Sequence, residues 1–184
     1  MPQGQRLAPD VDLRDFTYDG TVTDHYLSGG LGQLTDGIEG HSNFLLDPDG
    51  WGRKGYEWVG WRNDSTRTAD EEPDSVVILF EFEQVRCFTG IRLHSNNMFS
   101  RDVRIFRRAD VRVGLAASDV ARTSSVEPVI HQNPRDNRID FARNVVIVVP
   151  KLTGRFVSVQ LFFDAEWMLI SEVRFESGTC IRRF

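Results

Sequence analysis

From Gly29 to Ile38 the chain reads Gly-Gly-Leu-Gly-Gln-Leu-Thr-Asp-Gly-Ile. Its glycines bend the backbone, and between them stand an amide oxygen at Gln33, a carboxylate at Asp36 and several main-chain carbonyls. Hard oxygen donors packed this closely suit Ca²⁺, which takes six to eight oxygens in flexible geometry. Far downstream, Ile170-Ser171-Glu172-Val173 sets a second carboxylate inside an apolar run, where a charge needs a partner. If the two segments meet, they form a structural cation site that ties the start of a domain to its end.

Catalytic chemistry has less support. The four histidines are His25, His41, His94 and His131, and no HExxH, GxSxG or Walker sequence accompanies them. No Cys or His pair has zinc-ligand spacing. His94 is expected at a strand end, capping it or facing solvent. An enzyme is therefore not expected. Arg101, Arg104, Arg107, Arg108 and Arg112 could attract an acidic partner, but at strand spacing they read as a solvated face. Gly55-Tyr56-Glu57-Trp58-Val59-Gly60-Trp61 brackets aromatics with glycines. Tyr56 and Trp58 fall on one side of an extended segment and are expected to plug one end of a barrel rather than stack on a ligand. The carbonyls of such an irregular segment are good Ca²⁺ ligands.

The elements that must position these residues are strands. Period-2 alternation marks Val76–Phe82, Phe88–His94, Val103–Ile105, Val111–Val113 and Arg155–Phe163. The β-branched run Arg143–Val149 reads as a strand buried on both faces, and Trp167–Phe175 as a closing apolar strand. No window carries a 3.6-residue period, and the pattern predicts an antiparallel all-β sandwich or barrel. Residues 1–12 are expected to be loose, and residues 41–75 and 116–138 to form irregular connections. The latter includes Asn133-Pro134-Arg135-Asp136-Asn137.

With 184 residues the chain suits one domain. A net charge of −5 gives no support to nucleic-acid binding. No apolar run approaches the ~18–20 residues of a membrane span, and the N-terminus lacks the apolar stretch of a signal peptide. The tripeptide Asn63-Asp64-Ser65 is a glycosylation sequon, usable only in a secreted context. Nothing in the sequence shows that Cys87 and Cys180 pair, and Cys87 reads as a buried inert thiol.

Several segments together resemble the second, discoidin-like extracellular domain of the discoidin domain receptors, the collagen-activated receptor tyrosine kinases. They are Thr17-Tyr18-Asp19-Gly20, Gly29 to Gly37, Gly55 to Trp61, Phe80-Glu81-Phe82, His94-Ser95-Asn96-Asn97-Met98 and Trp167-Met168-Leu169-Ile170-Ser171-Glu172. They occur in family order and define a domain over 13–177, after the loose segment 1–12. A tail outside the family pattern follows at 178–184.

The resemblance implies a discoidin-like or jelly-roll β-barrel, galactose-binding-domain-like, with extra strands and long loops. It also implies a structural Ca²⁺. Side-chain ligands would be Gln33, Asp36 and Glu172, and main-chain oxygens would come from Ile38, Tyr56, Trp58, Ser171 and Arg14. It places an N-linked glycan on Asn63. The role implied is a non-catalytic module on the extracellular side of the plasma membrane. There it would position an adjacent, collagen-binding discoidin domain and relay activation of a homodimeric parent receptor, of which this chain reads as a fragment. The alternative is a stand-alone carbohydrate- or membrane-surface-binding module, which would need Trp51, Phe99 or similar loop aromatics exposed together at one barrel end. Two departures stand out. The family's inter-strand disulfide falls at Val111 and Val159, and Ser95 stands where relatives carry a cysteine.

Overall fold

The computed structural model describes residues 21–23, 26–28, 32–35, 37–46, 55, 57–63 and 74–180. Among these the protein is all-β, interrupted only by short 3₁₀ turns. A two-stranded ribbon pairs β1 (Thr21–Thr23) with β2 (Tyr26–Ser28). The main sheet holds β3 (Val59–Arg62), β4 (Ser75–Ser95), β5 (Arg108–Gly114), β6 (Val129–Gln132), β7 (Arg143–Phe162) and β8 (Trp167–Gly178), in the order β3-β8-β4-β7-β5-β6. Every pairing between these strands is antiparallel.

Two strands are far longer than their alternation suggests. The separate runs Val76–Phe82 and Phe88–His94 are the two halves of β4, which has 21 residues. The runs Arg143–Val149 and Arg155–Phe163 fuse in the same way into β7, with 20 residues. Register shifts between Glu81 and Arg86, and between Phe88 and Gly90, bend the pair, and Lys151 takes a left-handed φ of 41° at the corner of β7. The first half of β4 lies against the second half of β7, which β5 flanks. The second half of β4 lies between β7 and β8.

Both halves face one core. Ile78, Phe80 and Phe82 alternate inward, as do Ile91, Leu93, Val157, Val159, Leu161, Val173 and Phe175. Four rings meet edge to face at its centre, Phe80, Phe82 and Phe88 around Phe175, with centroids 4.9 to 6.0 Å apart. Val111 and Val159 are direct partners in the β5–β7 register, both fully buried. The two positions implied for the family's disulfide are therefore adjacent.

Several expectations are corrected. Arg143–Val149 is buried on one face only: Val145, Ile147 and Val149 point inward, whereas Val146 and Val148 are exposed, because no second layer covers that face among the described residues. Val103–Ile105 is no strand; Val103 makes a lone bridge to Trp167. The connection 116–138 contains a 3₁₀ turn, Ala117–Val120, and β6. Ser158 and Gln160 alternate as polar residues but are buried, bonding the Val120 carbonyl at 2.8 Å and the Ser75 hydroxyl at 3.0 Å. The arginine cluster is no free solvated face. Arg107 grips Asp74 and the Phe163 carbonyl, Arg108 forms a two-pronged pair with buried Asp110, and Arg112 donates to the Val126 carbonyl.

Cys87 is not a free thiol. It is disulfide-bonded to Cys180 across 93 positions of sequence. β8 runs on until Gly178 lies opposite Cys87, so the segment after the strand is delivered to the cysteine on β4. Among the described residues no helix is long and apolar enough to cross a membrane.

Candidate structural cation clasp

The glycine loop and the apolar run near the C-terminal end do meet. Gly37 has φ 88°, a left-handed conformation that a side chain would strain. This turn aims its N–H at Glu172, which it reaches at 3.0 Å on Oε2. Glu172 lies on β8 opposite His94 and is only 1% exposed. A carboxylate so buried requires charge or strong hydrogen bonds around it. Arg174, two residues along the same strand face, provides part of both. Its Nε stands 3.5 Å from Glu172 Oε1, and its other nitrogens reach the Gly37 carbonyl at 3.2 Å and Glu39 at 3.5 Å.

One step along the loop, the Gly40 amide donates to the Ser171 hydroxyl at 2.9 Å, and Ser171 Oγ lies 2.7 Å from His94 Nδ1. His94 is buried rather than capping the strand in solvent. Its ring stacks on Trp58 at 5.3 Å between centroids, and burial lowers its pKa below the ordinary 6.5 despite the nearby Glu39 carboxylate. The neutral ring satisfies its neighbours in one tautomer. A ring protonated on Nε2 would accept the Ser171 hydroxyl at Nδ1 and turn its N–H toward Glu39 Oε2, 3.9 Å away. This serine, histidine and carboxylate resemble a nucleophile relay in composition alone, because Ser171 has no exposed surface through which a substrate could approach it.

Trp58 locks the loop down. It is 8% exposed and packs with Val103, Ala142 and Leu169, and its indole N–H donates to the His41 carbonyl at 3.2 Å. A Cβ on Gly40 would lie 2.4 Å from the Trp58 ring, so glycine is required there for the loop to reach Ser171.

Of the residues expected to bind calcium, the structure brings Ile38, Trp58, Ser171 and Glu172 into one neighbourhood, through Gly37, Gly40 and His41. Gln33 sits in the 3₁₀ turn Gly32–Thr35, with its side chain outside the described residues; Asp36, Tyr56 and Arg14 also lie outside them. Glu39, His94 and Arg174 belong to the clasp but were missed. Arg174 had one readable signal, its place two residues from Glu172 on the same face of a strand.

The donors fit a hard cation. Glu172 offers a buried carboxylate, and the Thr35 hydroxyl, fully buried beside Asp36 in sequence, has no hydrogen-bond partner among the described residues. No three His, Cys, Asp or Glu side chains converge there among those residues. The carboxylate and hydroxyl that are present are hard oxygen donors, which suit Ca²⁺ better than zinc. Elsewhere, Phe99 lies half-buried with the Arg104 guanidinium 5.5 Å from its ring centre, while Trp51 is outside the described residues.

By fold the chain is an all-β domain of the discoidin-like class. It belongs to the family described as discoidin domain-containing receptor 1/2, DS-like domain, whose pattern matches residues 1–177. Discoidin domain-containing receptor tyrosine kinase B of Caenorhabditis elegans is 30% identical over 94% of this chain and 20% of that protein. Human epithelial discoidin domain-containing receptor 1 is 33% identical over 96% of this chain and 19% of that receptor. The chain thus spans about a fifth of the length of these relatives. Among solved structures, a GH31 CBM32-2 module bound to GalNAc aligns with a TM-score of 0.45 and 12% identity, covering 90% of this chain and 96% of that one.

Proposed function

We propose that this chain is a non-catalytic discoidin-like domain on the extracellular side of a collagen-receptor tyrosine kinase. In this reading it positions a neighbouring collagen-binding domain and relays the bound state within a receptor dimer. The observation that carries the proposal is the family match along 1–177, and the names of the relatives supply the receptor and its kinase. Asn63 fits a glycan acceptor. Its amide donates to Asp74 Oδ1 at 3.0 Å, which leaves the second amide hydrogen for a sugar to replace.

In the same reading a Ca²⁺ is held by the side chains of Gln33, Asp36 and Glu172 with main-chain oxygens of Ile38, Tyr56, Trp58, Ser171 and Arg14. When bound, the ion supplies countercharge to the buried carboxylate and ties the Gly37 turn to β8. At calcium about 100-fold above the dissociation constant it contributes about 2.7 kcal/mol. Chelation with EDTA is then expected to lower the melting midpoint by roughly 5–10 °C, and Glu172→Gln to abolish that sensitivity. An unchanged midpoint on chelation overturns the calcium assignment without touching the family one.

The division of labour has its own test. Secreted alone, with its mass checked for a glycan on Asn63, the chain is expected to bind a triple-helical collagen peptide poorly in surface plasmon resonance. Saturable binding at nanomolar concentration would show that the domain itself is the collagen reader.

A further inference from the structure

The connection from Asn133 to Arg143 carries a second site, unrelated to the clasp. Its loop is held rigidly from beneath. Asn97 is 2% exposed and gives its side-chain amide to the carbonyls of Asp136 at 3.2 Å and Ile139 at 3.0 Å. Arg104 donates to the same Asp136 carbonyl at 3.2 Å. The Asp136 carboxylate accepts the Arg138 amide at 2.8 Å and the Arg143 guanidinium at 2.9 Å. Arg135 is held against Asp164 by bonds of 2.9 and 2.7 Å. These bonds hold the loop backbone and the side chains of Arg135, Asp136 and Arg143 in place.

The guanidinium of Arg138 is exposed and has no partner among the described residues. It borders an open depression of about 640 Å³ lined by Pro134, Arg135, Asp136, Ile139 and Arg143 among others. Beside it, Ile139 and Phe141 are 57% and 43% exposed. An exposed arginine with exposed apolar neighbours on a preorganised loop backbone has the composition of a protein-recognition hot spot.

We infer that this loop is a docking site for a segment of a partner protein that carries a single carboxylate, which pairs with Arg138 while an adjoining apolar side chain covers Ile139 and Phe141. A carboxylate matches the planar fork of arginine in two parallel hydrogen bonds. A polyanion such as a sulfated glycan fits less well. It wants an extended basic stripe, whereas Asp136 and Asp140 belong to the same connection, Arg135 holds Asp164 against it, and the chain as a whole carries −5. Charges beyond the first would meet those carboxylates within a Debye length of about 8–10 Å. The small contact area implies weak binding to an isolated segment, strengthened where the partner is tethered nearby.

The test is an NMR titration of the whole chain that follows backbone amides and arginine Nε–H signals. The probes are the capped pentapeptide Gly-Leu-Glu-Phe-Gly, its glutamine counterpart, and a heparin-derived hexasaccharide. Saturable shifts are expected at Arg138, Ile139 and Phe141 with the glutamate peptide. Affinity should fall about tenfold for the glutamine peptide, and again for Arg138→Gln, an exposed substitution that leaves the fold intact. Absence of saturable shifts, equal binding of the two peptides, or tighter binding of the hexasaccharide at these residues would each overturn the inference.

Discussion

Replacing Cys87 and Cys180 with serine lowers the melting midpoint of the protein by on the order of 10 °C. The bond closes a loop of 93 residues' separation, and chain-entropy arguments assign such a loop about 4–5 kcal/mol, with roughly 2–4 °C per kcal/mol at this size. No second bridge compensates, because the sequence holds only these two cysteines. The same substitution raises amide exchange from Phe175 to Gly178, the part of β8 that pairs with β4 between Ile91 and Cys87. Differential scanning calorimetry of the double variant, and of the oxidised and reduced protein, measures the first effect. A midpoint indifferent to reductant would show that the bond carries no stability.

Trp58→Ala costs about 3–5 kcal/mol, the range for deleting a buried aromatic. The ring is an apolar surface shared by the glycine loop and the sheet. It stacks on His94, abuts Gly40, packs with Leu169 and Val103, and donates to the His41 carbonyl. Its loss is expected to free the amides of Gly37 and Gly40 to exchange even where the core remains folded. Trp58→Phe retains a ring against His94 and loses the indole hydrogen bond, so it falls between, with the missing bond accounting for about 1 kcal/mol. Urea denaturation paired with hydrogen exchange reads both quantities. A Trp58→Ala variant as stable as the parent, with Gly40 still protected, would separate the loop from the ring.

How much of this could be read in advance depended on the range of the interaction. Ile78, Phe80 and Phe82 declared an inward face because alternation is a local property of a strand. Glu172 declared a need for a partner because a charge among Ile170, Val173 and Phe175 is costly wherever the chain folds. The joining of two apparent strands into β4 was hidden, since the bulged stretch from Glu81 to Arg86 reads as a polar turn. Cys87 and Cys180 carried no sign of each other, because only the length of β8 and its register against β4 bring them together. His94 looked like a surface residue for the same reason. Its burial is created by Trp58 and by the loop from Gly37 to His41, both distant in sequence. The committed shape of the Asn133–Ile139 loop depends on Asn97, a polar residue whose burial no local pattern announces.

The disulfide also decides how the domain answers to force. A strand pulled from its end normally peels, and its hydrogen bonds break one at a time. Load entering beyond Cys180 cannot open β8 in that way. It is passed to Cys87, within a strand of 21 residues flanked by β7 and β8, where rupture would require many bonds to shear together. Glu172 lies within the segment that the disulfide closes, so tension arriving from that end of the chain bypasses it.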